Sequence, residues 1–131
     1  MTTDVEFEWL DEERGFARCK LTGAFSMSDG VARVTQAIAG ATARGYLGLV
    51  VDIRGIEGIE PPDVAARHAF VRGWAGVAGP NLRVAMVARP EFIDPEKFGL
   101  VVARNFGMDA NIFDTQAEAL YWLRSDTILD P

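Results

Sequence analysis

The chain is predicted to be an α/β protein of element order ββαβαβαβα, with a mixed, mainly parallel sheet that begins in an antiparallel N-terminal hairpin. Three observations carry this expectation. An early segment alternates apolar and charged residues as a half-buried strand does, two later apolar runs lack alternation as strands covered on both faces do, and helical repeats with capping residues separate them. Strands that alternate with helices wind into a parallel sheet through right-handed crossovers.

The first segment, Val5-Glu6-Phe7-Glu8-Trp9, places Val5, Phe7 and Trp9 on one strand face. After a charged turn at residues 11–15, a second strand covers residues 16–21. Folding the two about Glu13 sets Glu8 against Arg18 and Glu6 against Lys20 on the outer face. The same register sets Phe7 against Cys19 and Val5 against Leu21 on the inner face, so Cys19 is predicted to be buried.

Ser28-Asp29 reads as the cap of a helix reaching about Arg44, along which Val31, Val34, Ala37, Ile38 and Ala41 recur at helical spacing before Gly45 stops it. Leu47-Gly48-Leu49-Val50-Val51 is the central strand. Residues 54–60 read as a loop into Pro61-Pro62-Asp63, where prolines suit a helix start, and a second helix runs to about Ala75 before Gly76, Gly79 and Pro80. A buried strand follows at residues 82–88, then a helix at residues 96–106 opened by Asp94 and Pro95. Asn111-Ile112-Phe113 closes the sheet, Thr115-Gln116-Ala117-Glu118 forms a capping box for the last helix, and a polar tail extends from about residue 125.

With 131 residues and 49% hydrophobic content, residues 1–131 are expected to form one domain with one core. A net charge of -6 and a pI near 4.7 argue against nucleic-acid or anionic-lipid partners, which need clustered Lys and Arg. The single cysteine allows no internal disulfide, the acidic start lacks a leader pattern, and no apolar run approaches the ~20 residues of a membrane span. A cytoplasmic protein without a transmembrane segment is expected.

Asp52, Arg54, Arg89, Glu91 and Asp94 fall at or just past the carboxyl ends of the two central strands, the edge where open parallel sheets bind ligands. With residues 55–59 they make a candidate polar site; the same residues also suit helix capping and local ion pairing. His68, with Arg67 beside it, has no nucleophile in reach and no orienting carboxylate, and reads as a helix-surface or packing residue. No complete catalytic set, cofactor motif or metal-ligand spacing emerges, so neither an enzyme nor a cofactor is predicted. Gly55 and Gly58 lack the Lys-Ser/Thr of a P-loop and the dinucleotide fingerprint.

The second helix carries two apolar stripes, Phe70, Trp74 and Val77 on one and Val64, His68, Val71 and Ala75 on the other; the third has a similar surplus in Phe98, Val101, Val102 and Phe106. That excess has three readings: packing within the domain, a subunit interface such as a homodimer, or the lining of a ligand pocket. The candidate ligand- or partner-binding residues are therefore Asp52, Arg54, Arg67, His68, Phe70, Trp74, Arg89 and Phe98.

Two stretches resemble the anti-sigma-factor-antagonist-like domains (SpoIIAA-like, STAS-like), a family related to the CRAL-TRIO lipid-transfer group. One is residues 49–63, a hydrophobic strand ending in Asp52 followed by an apolar-spaced segment into Pro61-Pro62-Asp63. The other is Ile112-Phe113-Asp114-Thr115 with Ala119-Leu120-Tyr121-Trp122-Leu123. The resemblance implies a non-enzymatic binding or regulatory domain acting through protein–protein contact, or a carrier for a small apolar or lipid-like ligand. In that family an Asp-Ser-Ser-Gly run before the second helix offers a serine to a kinase. Here Glu60-Pro61-Pro62-Asp63 carries no hydroxyl, so a serine phosphoswitch is not expected at that place.

Overall fold

The computed structural model describes residues 4–125. Its elements are β1 (Asp4–Asp11), β2 (Phe16–Ala24), α1 (Met27–Ala43), β3 (Gly48–Glu57), α2 (Val64–Val77), β4 (Arg83–Val87), α3 (Phe98–Asn105), β5 (Asp109–Phe113) and α4 (Gln116–Arg124), with a short 3-10 turn at Pro90–Phe92. The polar tail expected beyond residue 125 lies outside the described residues. No helix among them is long and apolar enough to cross a membrane.

The sheet order is β1-β2-β3-β4-β5, antiparallel in the first pair and parallel in the other three. Each parallel strand is added beside its predecessor in one direction, so right-handed crossovers carry α1, α2 and α3 over the same face. Only α4, which follows the last strand, folds onto the other face. The core is accordingly split: Leu21, Ile38, Leu49, Val51 and Val84 lie under the first three helices, and Phe16, Val50, Ala85 and Val87 pack against Ala119 and Leu123 of α4.

The hairpin forms in the expected register, Glu8 opposite Arg18 and Phe7 opposite Cys19, with Glu8 and Arg18 in a 2.7 Å ion pair and Cys19 buried. The inward apolar face of β1 is a different matter. Val5, Phe7 and Trp9 are 40%, 52% and 39% exposed. β1 is an edge strand at the margin of the helix layer, where Phe7 borders a groove shared with Gln36, Ala37 and Gly40 of α1, so this face is only partly covered. Phe7 and Trp9 find partial cover in Tyr46, at ring-centroid distances of 5.9 and 4.8 Å.

β3 runs beyond its expected end. Residues 55–57, read as loop, continue the strand and pair with Thr22, Gly23 and Ala24 after a register shift. The shift places one extra residue in β3, so the core face passes from the odd positions Leu49 and Val51 to the even position Ile56, which is buried. Gly55 makes the close approach possible, since a Cβ there would stand 2.7 Å from Thr22 Cγ2.

Two of the helix starts, those of α1 and α3, differ from expectation. Ser26, not Ser28 or Asp29, caps α1 by accepting from the Asp29 amide at 3.1 Å. Asp63 caps α2 through the Ala66 amide at 2.8 Å. α3 begins at Phe98 rather than Glu96, because Asp94 accepts from the Glu96 amide and its carbonyl from the Lys97 amide, closing a turn where a first helical turn was expected. Thr115 caps α4 by accepting from the Glu118 amide at 3.3 Å, as expected, while the Glu118 carboxylate accepts from the Thr115 hydroxyl at 2.9 Å, a different partner from the backbone N–H of a full capping box.

Candidate functional site

Asp52 is the one buried charged residue among those described, at 1% exposure. Strand alternation turns it, like Val50, away from α1 and α2. It accepts hydrogen bonds from the Arg54 amide at 3.0 Å, from Arg54 Nε at 3.0 Å and from Arg54 Nη2 at 2.9 Å. Burial alone would push the carboxyl up. The hydrogen bonds and positive charge of Arg54, helped by Lys20, outweigh it and hold Asp52 below the ordinary aspartate value. Arg54 is raised in return, chiefly by its hydrogen bond to Asp52. The pair is closed on itself.

On the opposite face, a half-open cavity of about 140 Å³ lies between α1, α2 and the carboxyl ends of the central strands. Its walls are Val31 and Val34 of α1, Ile53 and Ile56 of β3, and Phe70 and Trp74 of α2. The Trp74 indole N–H is turned to the Val31 carbonyl at 3.4 Å, and its ring sits 6.4 Å from Phe70. Arg67 is the single charged lining residue. Its guanidinium points to the Pro62 carbonyl at 3.5 Å and to the Asp94 carboxylate at 4.0 Å.

The outer surface of α2 and α3 differs. Val64, Val101 and Phe106 are 58%, 48% and 46% exposed. The Phe106 ring is met edge-on by His68 at 6.4 Å and covered by the Arg72 guanidinium at 5.0 Å.

The candidate residues thus divide among three places. Arg67, Phe70 and Trp74 surround the cavity. Arg89 reaches its rim indirectly, stacking at 5.1 Å on the lining residue Phe92 with Glu91 3.5 Å away. His68 belongs to the α2–α3 surface, and Asp52 with Arg54 lies across the sheet from both, so Asp52, Arg54 and His68 share no cleft. Phe98 opens α3, and its side chain lies outside the described residues. Ile56 and Ile59, from the segment 55–59 expected at a polar site, line this apolar cavity instead, and Ile53 and Phe92 join them without a place in the sequence-based site. The signal for an apolar role is faint: Ile53, Ile56 and Ile59 recur every third position across the end of the strand and the segment expected as loop.

No family model and no curated protein matches the sequence. Among solved structures, an anti-sigma factor antagonist from Mycobacterium paratuberculosis superposes with a TM-score of 0.62 at 18% identity, over 95% of this chain and 96% of that one. The fold is that of an anti-sigma factor antagonist. The antagonist SpoIIAA in its unphosphorylated form is also matched, with a TM-score of 0.47 at 15% identity over 92% of this chain and 96% of that one. In this SpoIIAA-like fold the segment leading into α2 is Glu60-Pro61-Pro62-Asp63, and the Asp63 carboxylate occupies the helix N-terminus.

Proposed function

We propose that the chain is a non-enzymatic regulatory module of the cytoplasm that binds a protein, or a second copy of itself, through the outer surface of α2 and α3. The observation that carries this reading is the exposure of Val64, Val101 and Phe106 on those helices, with Phe106 bordered by His68 and Arg72. Large apolar side chains gathered in the open and rimmed by polar groups mark interaction surfaces, and aromatic and Arg side chains are enriched there. The likeness of fold to an anti-sigma factor antagonist, spanning nearly the whole of both chains, supports it.

Binding is not gated by a serine phosphate before α2. The position holds Pro61 and Pro62, and the negative charge that phosphorylation would add near the helix N-terminus is supplied permanently by Asp63. Pull-downs from a cell extract, with light scattering on the purified chain, test the reading. The wild type should retain a protein partner or self-associate, and Val64→Asp and Phe106→Ser should abolish this while keeping the thermal midpoint. A strict monomer that retains nothing overturns it.

The cavity beneath α1 and α2 favours a second reading, carriage of a small apolar or lipid-like ligand. Native mass spectrometry of the purified chain tests it through the mass of any retained compound.

A further inference from the structure

We infer that the cavity between α1 and α2 is a binding site for one neutral, ring-sized apolar molecule, an aromatic or branched hydrocarbon-like compound of roughly six to nine carbons. This rests on the carrier reading and narrows it to one ligand class.

Size is the first argument. A volume of about 140 Å³ is close to that of an engineered apolar cavity, ~150 Å³, known to stay dry and admit benzene. It falls well below the roughly 300–1,000 Å³ of pockets that enclose drug-sized ligands. A long acyl chain would project from its open side and leave most of its apolar surface in water.

The chemistry of the walls agrees. Phe70, Trp74 and Phe92 offer ring faces and edges, which favour an aromatic guest through offset or edge-on contacts. Met27 and Met86 add unbranched, polarizable side chains that adapt to the shape of a guest. The polar groups at the walls already face protein partners: the Trp74 N–H is directed to the Val31 carbonyl at 3.4 Å, and the Arg67 guanidinium lies between the Pro62 carbonyl at 3.5 Å and the Asp94 carboxylate at 4.0 Å. An anionic headgroup would have to share the Arg67 guanidinium with the Asp94 carboxylate, whose charge offsets that of Arg67 and opposes a second anion. A neutral guest disturbs none of these contacts.

The position is suitable as well. An unfilled apolar void forfeits the dispersion contacts of its lining, and a guest restores them. One side of the cavity is bounded by Ile59 and Pro62, which belong to the connection between β3 and α2 rather than to either element, so entry does not require a helix or strand to open.

The test is a titration of the full chain, labelled with ¹³C at its methionine methyls, with toluene, indole, benzoate and decanoate in separate arms. Toluene and indole should shift the Met27 and Met86 methyl signals saturably, and benzoate should bind at least about tenfold more weakly than toluene because Asp94 already offsets the charge of Arg67 and the rest of the wall is apolar. Val31→Phe, which fills the cavity from α1, should abolish the shifts. Ile59→Phe fills it from the connecting segment and serves if the α1 variant does not fold. Decanoate binding more tightly than toluene would overturn the ring-sized class and leave the carrier reading standing. No saturable shift with any of the four probes would overturn both. Shifts that persist in a folded, filled variant place the guest elsewhere and reject the site.

Discussion

Asp52 and Arg54 stand two residues apart on β3, joined by three hydrogen bonds that close a buried carboxylate onto its own strand neighbour. A carboxylate at 1% exposure is tolerated because those donors replace the water it has lost. The folded pKa of Asp52 is held below its unfolded value despite burial, which acts the other way. A depressed carboxylate adds stability that is present above the ordinary aspartate range and is lost as pH falls through the folded pKa.

Arg54→Met should therefore cost about 2 kcal/mol at pH 7, the scale of a buried acceptor stripped of its partners. The difference from wild type should narrow towards pH 3, since burial now raises Asp52 and a protonated carboxyl is cheaper to bury. Urea melts of both proteins at pH 7, 5 and 3 check this. Equal stabilities at pH 7 would show that the pair contributes nothing.

Gly55 marks the place where β3 gains its extra residue. A Cβ there would lie 2.7 Å from Thr22 Cγ2 and 3.2 Å from the Leu21 carbonyl oxygen. Gly55→Ala should destabilise the fold by about 1–3 kcal/mol, the range for overpacking. Adding Thr22→Ala should recover part of that loss, because the closer clash is with a removable methyl and the other is with backbone. A double-mutant cycle in denaturant melts reads the coupling.

The bulge also shows where the sequence stopped being legible. Strand alternation identifies a core face only while the period of two holds, and one inserted residue moves that face from Leu49 and Val51 to Ile56. Residues 55–57 consequently look irregular when read by period alone. The β1–β2 hairpin, by contrast, is legible from Asp4 to Trp9, because Glu8 against Arg18 and Glu6 against Lys20 fit only one register; the irregularity between Trp9 and Asp11, which sets Asp11 against Phe16, leaves no such mark. What β1 could not reveal was its own exposure, which depends on how far α1 extends across the sheet and not on the pattern Val5, Phe7, Trp9. The cavity was half legible for a similar reason. The surplus stripe of α2 announced Phe70 and Trp74, whereas Ile56 and Phe92 are brought to them by the bulge and by the 3-10 turn. Asp52 and Arg54 looked like a polar site because a sequence does not show that two residues of one strand satisfy each other.

Cys19 should be chemically quiet in the folded chain. It lies at 5% exposure opposite Phe7, and burial pushes its thiol above the ordinary cysteine value, so the reactive thiolate is scarce at neutral pH. A disulfide-exchange reagent should modify it at least about a hundredfold more slowly than the urea-unfolded chain, as expected when reaction waits on opening. Comparable rates in the two states would mean that the β1 edge opens readily.

Arg83, at the start of β4, fastens the end of α4 to the sheet. Its Nη1 donates to the carbonyls of Trp122, Leu123 and Ser125 at 2.9, 3.2 and 2.8 Å, its Nε pairs with Asp109 at 3.1 Å, and its guanidinium lies 4.0 Å from the centre of the Trp122 ring. Those carbonyls belong to the last turn and C-cap of the helix, where intrahelical donors run out and the helix dipole favours a cation. Arg83→Ala should cost about 2–3 kcal/mol, since charge-assisted bonds to three helix-end carbonyls are lost together with the ring contact. Arg83→Lys should restore only a minor part, because a single ammonium cannot serve three carbonyls, a carboxylate and an aromatic face from one position. Hydrogen exchange would localise the effect: amides of α4 should exchange faster in Arg83→Ala while those of α1 and α2 on the other face change little. Uniform acceleration across both faces would mean that Arg83 supports the whole fold and not the docking of one helix.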